Sequence, residues 1–321
     1  MTTYKEIFGK YVKNYSSDPS SDIEGQIWYN STSGTFKSQI SLGAVWAAGG
    51  NLGTARRLLA GSGTQTAGLA FGGFITADPG TNSTEEYDGS TWTAGGNLGT
   101  TRHALAGAGI QTAGLAIGGF TTALSNATEE YDGSAWTGGG NLGTARTEIA
   151  GCGLQTAGLG FGGYTTAAVA NTEEYDGTSW TGGGNLATAR YSPAGAGIQT
   201  AGLCFGGYTG TTFTAPSEEY DGSSWTTGGS LNNPRSRLGG AGIQTAALAF
   251  GGRTTVDFSA TEEYNGTSWA TTTSMTTARR YLAGAGIQTS ALGFGGFNTA
   301  NTAATEEYID PTLVVQTITT S

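Results

Sequence analysis

The sequence predicts an all-β protein, a ring of six four-stranded blades, and three observations carry that expectation. Six tryptophans, Trp46, Trp92, Trp136, Trp180, Trp225 and Trp269, stand 46, 44, 44, 45 and 44 residues apart. Each opens a near-copy of one stretch, which in the third copy reads WTGGGNLGTARTEIAGCGLQTAGLGFGGYTTAAVANTEEYDG. The stretch is strand-like and Gly-rich, and a period in the mid-forties is the size of one blade of a β-propeller.

The second copy shows how a blade is expected to form. Residues 102–109 (RHALAGAG) supply a first strand small enough to crowd round a central channel, and residues 111–118 (QTAGLAIG) a mostly apolar second strand ending at Gly118-Gly119. Glycine suits places where strands come too close for a side chain. Residues 128–131 (TEEY) form the third strand, Asp132-Gly133 a tight turn, and residues 135–137 with Trp136 the start of the fourth. In the fifth copy Asn265-Gly266 serves as that turn.

The chain then divides into residues 1–45 as a leader, 46–311 as a six-bladed β-propeller, and 312–321 as a C-terminal strand or tail. A ring needs a closing strand, and two are available. With blades counted from Arg to Trp, the last one has Arg279 and Tyr308 but no Trp, while Trp46 is left over in front. The strand around Trp46 is the favoured partner; the rival is the tail, whose Leu313 occupies the same register five residues after Tyr308.

The chain has 57 glycines and only 12% charged residues. All four lysines lie in the leader, which is neutral, so the net charge of −10 resides on the array. An acidic, lysine-free ring is a poor polyanion binder, which argues against nucleic acid. No run of 18 apolar residues and no secretory signal is present, so neither a membrane span nor Sec export is expected. Cys152 and Cys204 fall at different repeat positions where other copies carry Ser, Ala or Gly, and read as small apolar fillers.

Each copy carries one Arg at the same place (Arg56, Arg102, Arg146, Arg190, Arg235, Arg279) and a Glu pair, from Glu85-Glu86 to Glu306-Glu307. A binding site usually breaks symmetry, whereas a packing device obeys it. These sets are therefore expected to be partly buried, hydrogen-bonded pairs. The repeated Gln65, Gln111, Gln155, Gln199, Gln244 and Gln288 are expected to bond loop backbone, and the Trp and Tyr sets to pack between blades. His103 is the only histidine, so no His-based metal site or Ser-His-Asp arrangement can be built. No catalytic residue, metal site or cofactor is expected.

One loop varies. Between Gly-Gly and Glu-Glu the copies differ in length and content, with Phe74, Phe120, Tyr164, Tyr208, Phe213, Arg253, Phe258 and Phe297 as the larger side chains. These loops should emerge on one face, which is the candidate binding surface. It is read as the only surface where the copies diverge together.

An apolar strand closed by Gly-Gly, followed by the tyrosines at Tyr87, Tyr131, Tyr175, Tyr220, Tyr264 and Tyr308 and then Trp, resembles Kelch repeats over all six copies. Trp follows Tyr more closely here than in that family, which marks a compact relative. The turn with Asp, Gly and Trp resembles the Asp-box of sialidases but lacks its preceding Ser. Residues 16–37, containing EGQIWYNSTSGTFK, resemble N-terminal attachment segments of tailed-phage tail-fibre and other virion structural proteins. The resemblance implies a non-enzymatic virion component, tail fibre or capsid appendage, on the outer surface of the particle and made in the host cytoplasm. Its leader would bind other virion proteins, its ring a host surface glycan or protein, with room for a homo-oligomer in the particle. The alternatives are a non-viral Kelch-type adaptor and a glycan-cleaving enzyme. The leader is also expected to hold a small hairpin, residues 26–30 against 35–37 across Ser33-Gly34.

Overall fold

A computed structural model describes residues 12–19, 26–40, 43–76, 80–310 and 314–318. All regular structure among them is β, in seven four-stranded sheets. The chain forms two compact units, one comprising Val45–Ile309 and the other joining the leader to the tail.

The larger unit holds six sheets with one plan. In the second copy the strands are Ala106–Ile110, Ala113–Ile117, Thr128–Tyr131 and Trp136–Gly138, each antiparallel to the next. The first strand starts four residues later than the sequence suggested. Arg102 and His103 are engaged with other parts of the copy, and Ala104 turns into the left-handed region at φ 52°. Gln111 and Thr112 make the hairpin turn, so the second strand begins at Ala113. At the next turn only Gly133 takes positive φ, 90°. Asp132 fixes the rest, its Oδ1 accepting the amide hydrogens of Ser134 and Ala135, both at 2.8 Å.

First strands lie side by side in series from copy to copy, and the strand Ala283–Ile287 of the last copy lies beside Ala60–Thr64 of the first. Their closeness explains the Gly-Ala composition. A Cβ placed on Gly107 would lie 2.5 Å from the Gly61 carbonyl oxygen. The Gly-Gly doublet ending each second strand is needed for its backbone as well, with φ 60° at Gly118 and 104° at Gly119.

The sixth sheet takes its outer strand from the front of the array: Val45–Ala48 runs antiparallel to Thr305–Ile309, with Trp46 opposite Tyr308. Leu313 lies outside the described residues. The strand Val314–Thr317 instead edges the leader's sheet, antiparallel to Thr35–Ile40. That sheet contains the expected hairpin, Ile27–Asn30 with Thr35–Ile40, and one strand the sequence did not reveal, Lys13–Tyr15, parallel to Ile27–Asn30. Trp28 is fully buried there, and Asp18 accepts hydrogen bonds from its Nε1 at 3.2 Å and from Asn30 Nδ2 at 2.7 Å.

Repeated side chains join one copy to the next. Tyr131 is fully buried and donates to Glu86 of the preceding copy at 2.5 Å, while Trp136 donates Nε1 to Thr84 at 2.9 Å. Trp136 also packs at a tilt on Phe71 of that copy, ring centroids 4.8 Å apart. Gln111 bridges to strand backbone of the preceding copy, the carbonyls of Gly68 and Tyr87, rather than to a loop. The same bonds run from the first copy to the last: Tyr87 to Glu307 at 2.6 Å, Trp92 to Thr305 at 2.9 Å, and Gln65 to the Tyr308 carbonyl at 2.7 Å.

The repeated arginines are more deeply buried than expected, with side chains at most 1% exposed. Each pairs with the first Glu of its own copy; Arg146 meets Glu173 at 3.1 Å and also bonds the carbonyls of Gly162 and Asn171. The carboxylate in turn accepts the Gly143 amide hydrogen at 2.6 Å. Each pair thus ties the segment entering a copy to its third strand. Cys152 and Cys204 are free, buried thiols in one core cluster with Leu159 and Phe161.

Candidate functional site

The site grows from the two residues that follow each buried Arg. The first makes a β-bridge to the residue after the Gly-Gly doublet, giving the pairs Arg57–Phe74, His103–Phe120, Thr147–Tyr164, Tyr191–Tyr208, Ser236–Arg253 and Arg280–Phe297. The second residue adopts left-handed backbone in every copy: Leu58, Ala104, Glu148, Ser192, Arg237 and Tyr281, with φ between 50° and 60°. Such backbone costs an L-residue about 1 kcal/mol or more.

A ring of hydrogen bonds compensates for that strain. The Ala104 amide donates to the Leu58 carbonyl, Glu148 to Ala104, Ser192 to Glu148, Arg237 to Ser192, and Tyr281 to Arg237, at 2.8–3.0 Å. The Leu58 amide donates to Tyr281 at 3.0 Å and brings the series back to its start. These six residues, with Leu59, Leu105, Ile149, Pro193, Leu238 and Leu282 beneath them, line a pit of about 90 Å³.

The six side chains at the mouth are all different, although the residues beneath them are nearly constant. Ser192 donates its hydroxyl to the Glu148 carboxylate. Arg237 places its guanidinium 4.8 Å from the Tyr281 ring, and its Nε, fully buried, has no hydrogen-bond partner among the described residues. Burial, then the nearby Glu148 carboxylate, raises the Tyr281 pKa, with Arg237 opposing. An acid, a guanidinium, a phenol and a hydroxyl therefore converge beside the apolar Leu58 and Ala104.

Around the mouth runs a belt that absorbs most of the loop side chains expected to bind. Arg57 lies between Phe74 and Phe297, 4.5 and 4.8 Å from their rings. His103 sits between Phe74 and Phe120, and Tyr191 between Tyr164 and Tyr208, with centroids 5.2–5.5 Å apart. Arg280 covers Phe297 at 4.6 Å and pairs with Asp257 at 2.7 Å. Phe74, Phe120, Tyr164, Tyr208 and Phe297 are thus held by neighbours instead of standing free. Arg253 bonds its own loop, through the carbonyls of Thr254 and Thr255. Phe213 and Phe258 line a separate groove with Pro234.

The loops are therefore not the only place where the copies diverge, and the earlier expectation is corrected. The dipeptides Arg57-Leu58, His103-Ala104, Thr147-Glu148, Tyr191-Ser192, Ser236-Arg237 and Arg280-Tyr281 share no common pattern inside an otherwise constant stretch. That contrast was readable, but the Arg before it and the Ala-Gly after it drew the whole segment into the first strand. No family model matches the chain, and no curated protein matches it.

Proposed function

We propose that the protein is a closed six-bladed, Kelch-like β-propeller acting as a non-enzymatic recognition module, displayed on a tailed-phage particle, that grips its target at the axial mouth. The cyclic order of first strands and the returning series of amide bonds support closure. One observation carries the recognition reading. In a chain with 57 glycines, none stands at the six left-handed positions, where glycine alone would be unstrained. Side chains are kept there against the backbone's preference, and no two are the same. Strain retained where side chains converge marks a functional surface. The phage context rests on the leader's resemblance to virion attachment segments.

The test combines immunogold labelling of purified particles with adsorption of the isolated protein to their host cells. The triple variant Glu148→Gly, Arg237→Gly and Tyr281→Gly should keep its melting temperature within a few degrees and lose adsorption about tenfold or more. Full adsorption by that variant rejects the axial site; unlabelled particles reject the virion setting.

A further inference from the structure

Beside the axial mouth, between the loops of the fourth and fifth copies, lies a groove of about 500 Å³. Its volume falls in the range of about 300–1,000 Å³ typical of small-molecule sites. Four of its residues depart together from what the other copies carry. Phe213 stands where other loops have Leu124, Ala168, Asp257 and Asn301. Phe258 stands where they have Thr81, Ser125, Val169, Thr214 and Thr302. Asn233-Pro234 replaces the Thr-Ala or Thr-Thr that precedes the buried Arg elsewhere. Symmetry is broken at four positions, and all four meet in this groove.

Its chemistry is narrow. The lining has no charged side chain: Phe213, Pro234 and Phe258 supply apolar surface, and Thr212, Asn233 and Thr254 supply neutral donors and acceptors. Phe213 is held against Tyr208, centroids 4.8 Å apart, so its position is set before any ligand arrives. The Asn233 side-chain amide and the Thr254 hydroxyl make no hydrogen bond among the described residues. A ligand matched to this surface has an apolar ring face, a rim of hydroxyl groups and no net charge. We infer that the groove is a subsite for a neutral saccharide ring, packed on Phe213 and Phe258 and hydrogen-bonded by Asn233 and Thr254. The inference rests on the reading of the protein as a recognition module, not on the axial mouth, and gives that module a ligand class.

The experiment is saturation-transfer NMR on the full chain with glucose, galactose, mannose and N-acetylglucosamine. Sialic acid serves as the charged control and a Phe-rich peptide as the apolar one. At least one neutral sugar should bind. Phe213→Ala and Phe258→Ala, each shown to be folded by its melting curve, should weaken it about tenfold, and Asn233→Thr should weaken it further than its small volume change accounts for. The axial triple glycine variant should bind the sugar normally. No binding of any neutral sugar, preference for sialic acid or the peptide, or unchanged binding in both Phe variants overturns the inference. Loss of adsorption by the axial variant with sugar binding intact leaves both readings standing. Sugar binding with full axial-variant adsorption sinks the axial reading alone.

Discussion

The Leu58 amide donates a hydrogen bond to the Tyr281 carbonyl across 3.0 Å, joining the first copy of the repeat to the last over 223 residues of sequence. The same two residues hold left-handed backbone, φ 55° and 56°. Geometry that permits the bond is geometry that strains the residue, and the six-membered series sustains both. Replacing one residue with glycine removes strain but adds freedom to the unfolded chain, and the two effects are each about 1 kcal/mol. Glu148→Gly alone should therefore move the melting temperature by only a few degrees, whereas Glu148→Pro, which cannot adopt positive φ or donate its amide to Ala104, should be severely destabilised. Calorimetry on the pair checks this; equal effects would mean that the amide ring contributes little.

Arg146 tests the buried pairs. Burial holds its pKa down to about 10, and Glu173 opposes the shift. Arg146→Ala leaves the Glu173 carboxylate buried without its cation, at a cost of about 3–5 kcal/mol. Arg146→Met with Glu173→Leu removes both charges and should recover most of that loss, measured by urea unfolding. A double variant as unstable as the single one would show that the carbonyl bonds of Arg146, not its charge partner, dominate.

The tyrosines that join one copy to the next set an alkaline limit. Burial, reinforced by the carboxylate each phenol contacts, pushes Tyr87, Tyr131, Tyr175 and Tyr220 up to about 12. Unfolded tyrosine titrates near 10, so the folded state holds these protons more tightly. Their contribution is complete below pH ~10 and is lost as pH rises toward 12. Phenolate absorbance and loss of circular dichroism should rise together in that window. Phenolates appearing near pH 10 in a chain that is still folded would contradict the burial of these junction tyrosines.

The copies announce themselves because each must make the same contacts: Trp136 to Thr84, Tyr131 to Glu86, Gln111 to Tyr87. A contact repeated at every junction imprints a repeated residue, and the sheets, the Trp46 strand that completes the sixth of them and the Arg–Glu pairs could be read from that imprint. The left-handed backbone at the mouth could not. Nothing local in Thr147-Glu148 or Arg280-Tyr281 favours left-handed backbone; the neighbouring copy imposes it. The groove was hidden for a related reason, since Phe213, Asn233 and Phe258 belong to three separate segments that only the packing of two copies brings together. In the leader's sheet, nothing in Lys13–Tyr15 marks a strand, and the strand-like run at Val314–Thr317 does not name its partner.

Glycine should divide sharply by position. A Cβ at Gly107 meets the Gly61 carbonyl oxygen at 2.5 Å and Phe71 Cζ at 2.9 Å, so Gly107→Ala must push two copies apart. A loss of about 1–3 kcal/mol is expected. Gly138, in an outer strand, has nothing within 4 Å of the same atom. Gly138→Ala should stay within about 0.5 kcal/mol of the parent. Thermal unfolding of the two variants compares them directly, and similar behaviour would refute the crowding of neighbouring first strands.

Trp46 decides how the array is held at its ends. Its ring packs on Phe250 and Tyr308, with centroids 5.1 and 5.2 Å away, and its Nε1 donates to Thr261 at 2.9 Å. Those are the contacts Trp136 makes with Phe71, Tyr131 and Thr84 inside the array. If the strand Val45–Ala48 is a full member of the sixth sheet, Trp46→Ala should cost as much as Trp136→Ala, about 3–5 kcal/mol for an aromatic removed from a packed core. Removing residues 314–321 takes an edge strand from the leader's sheet and should leave the main unfolding transition where it was. A scanning calorimeter separates the two cases: a truncated chain that melts early beside a Trp46→Ala chain that melts normally would assign closure to the tail.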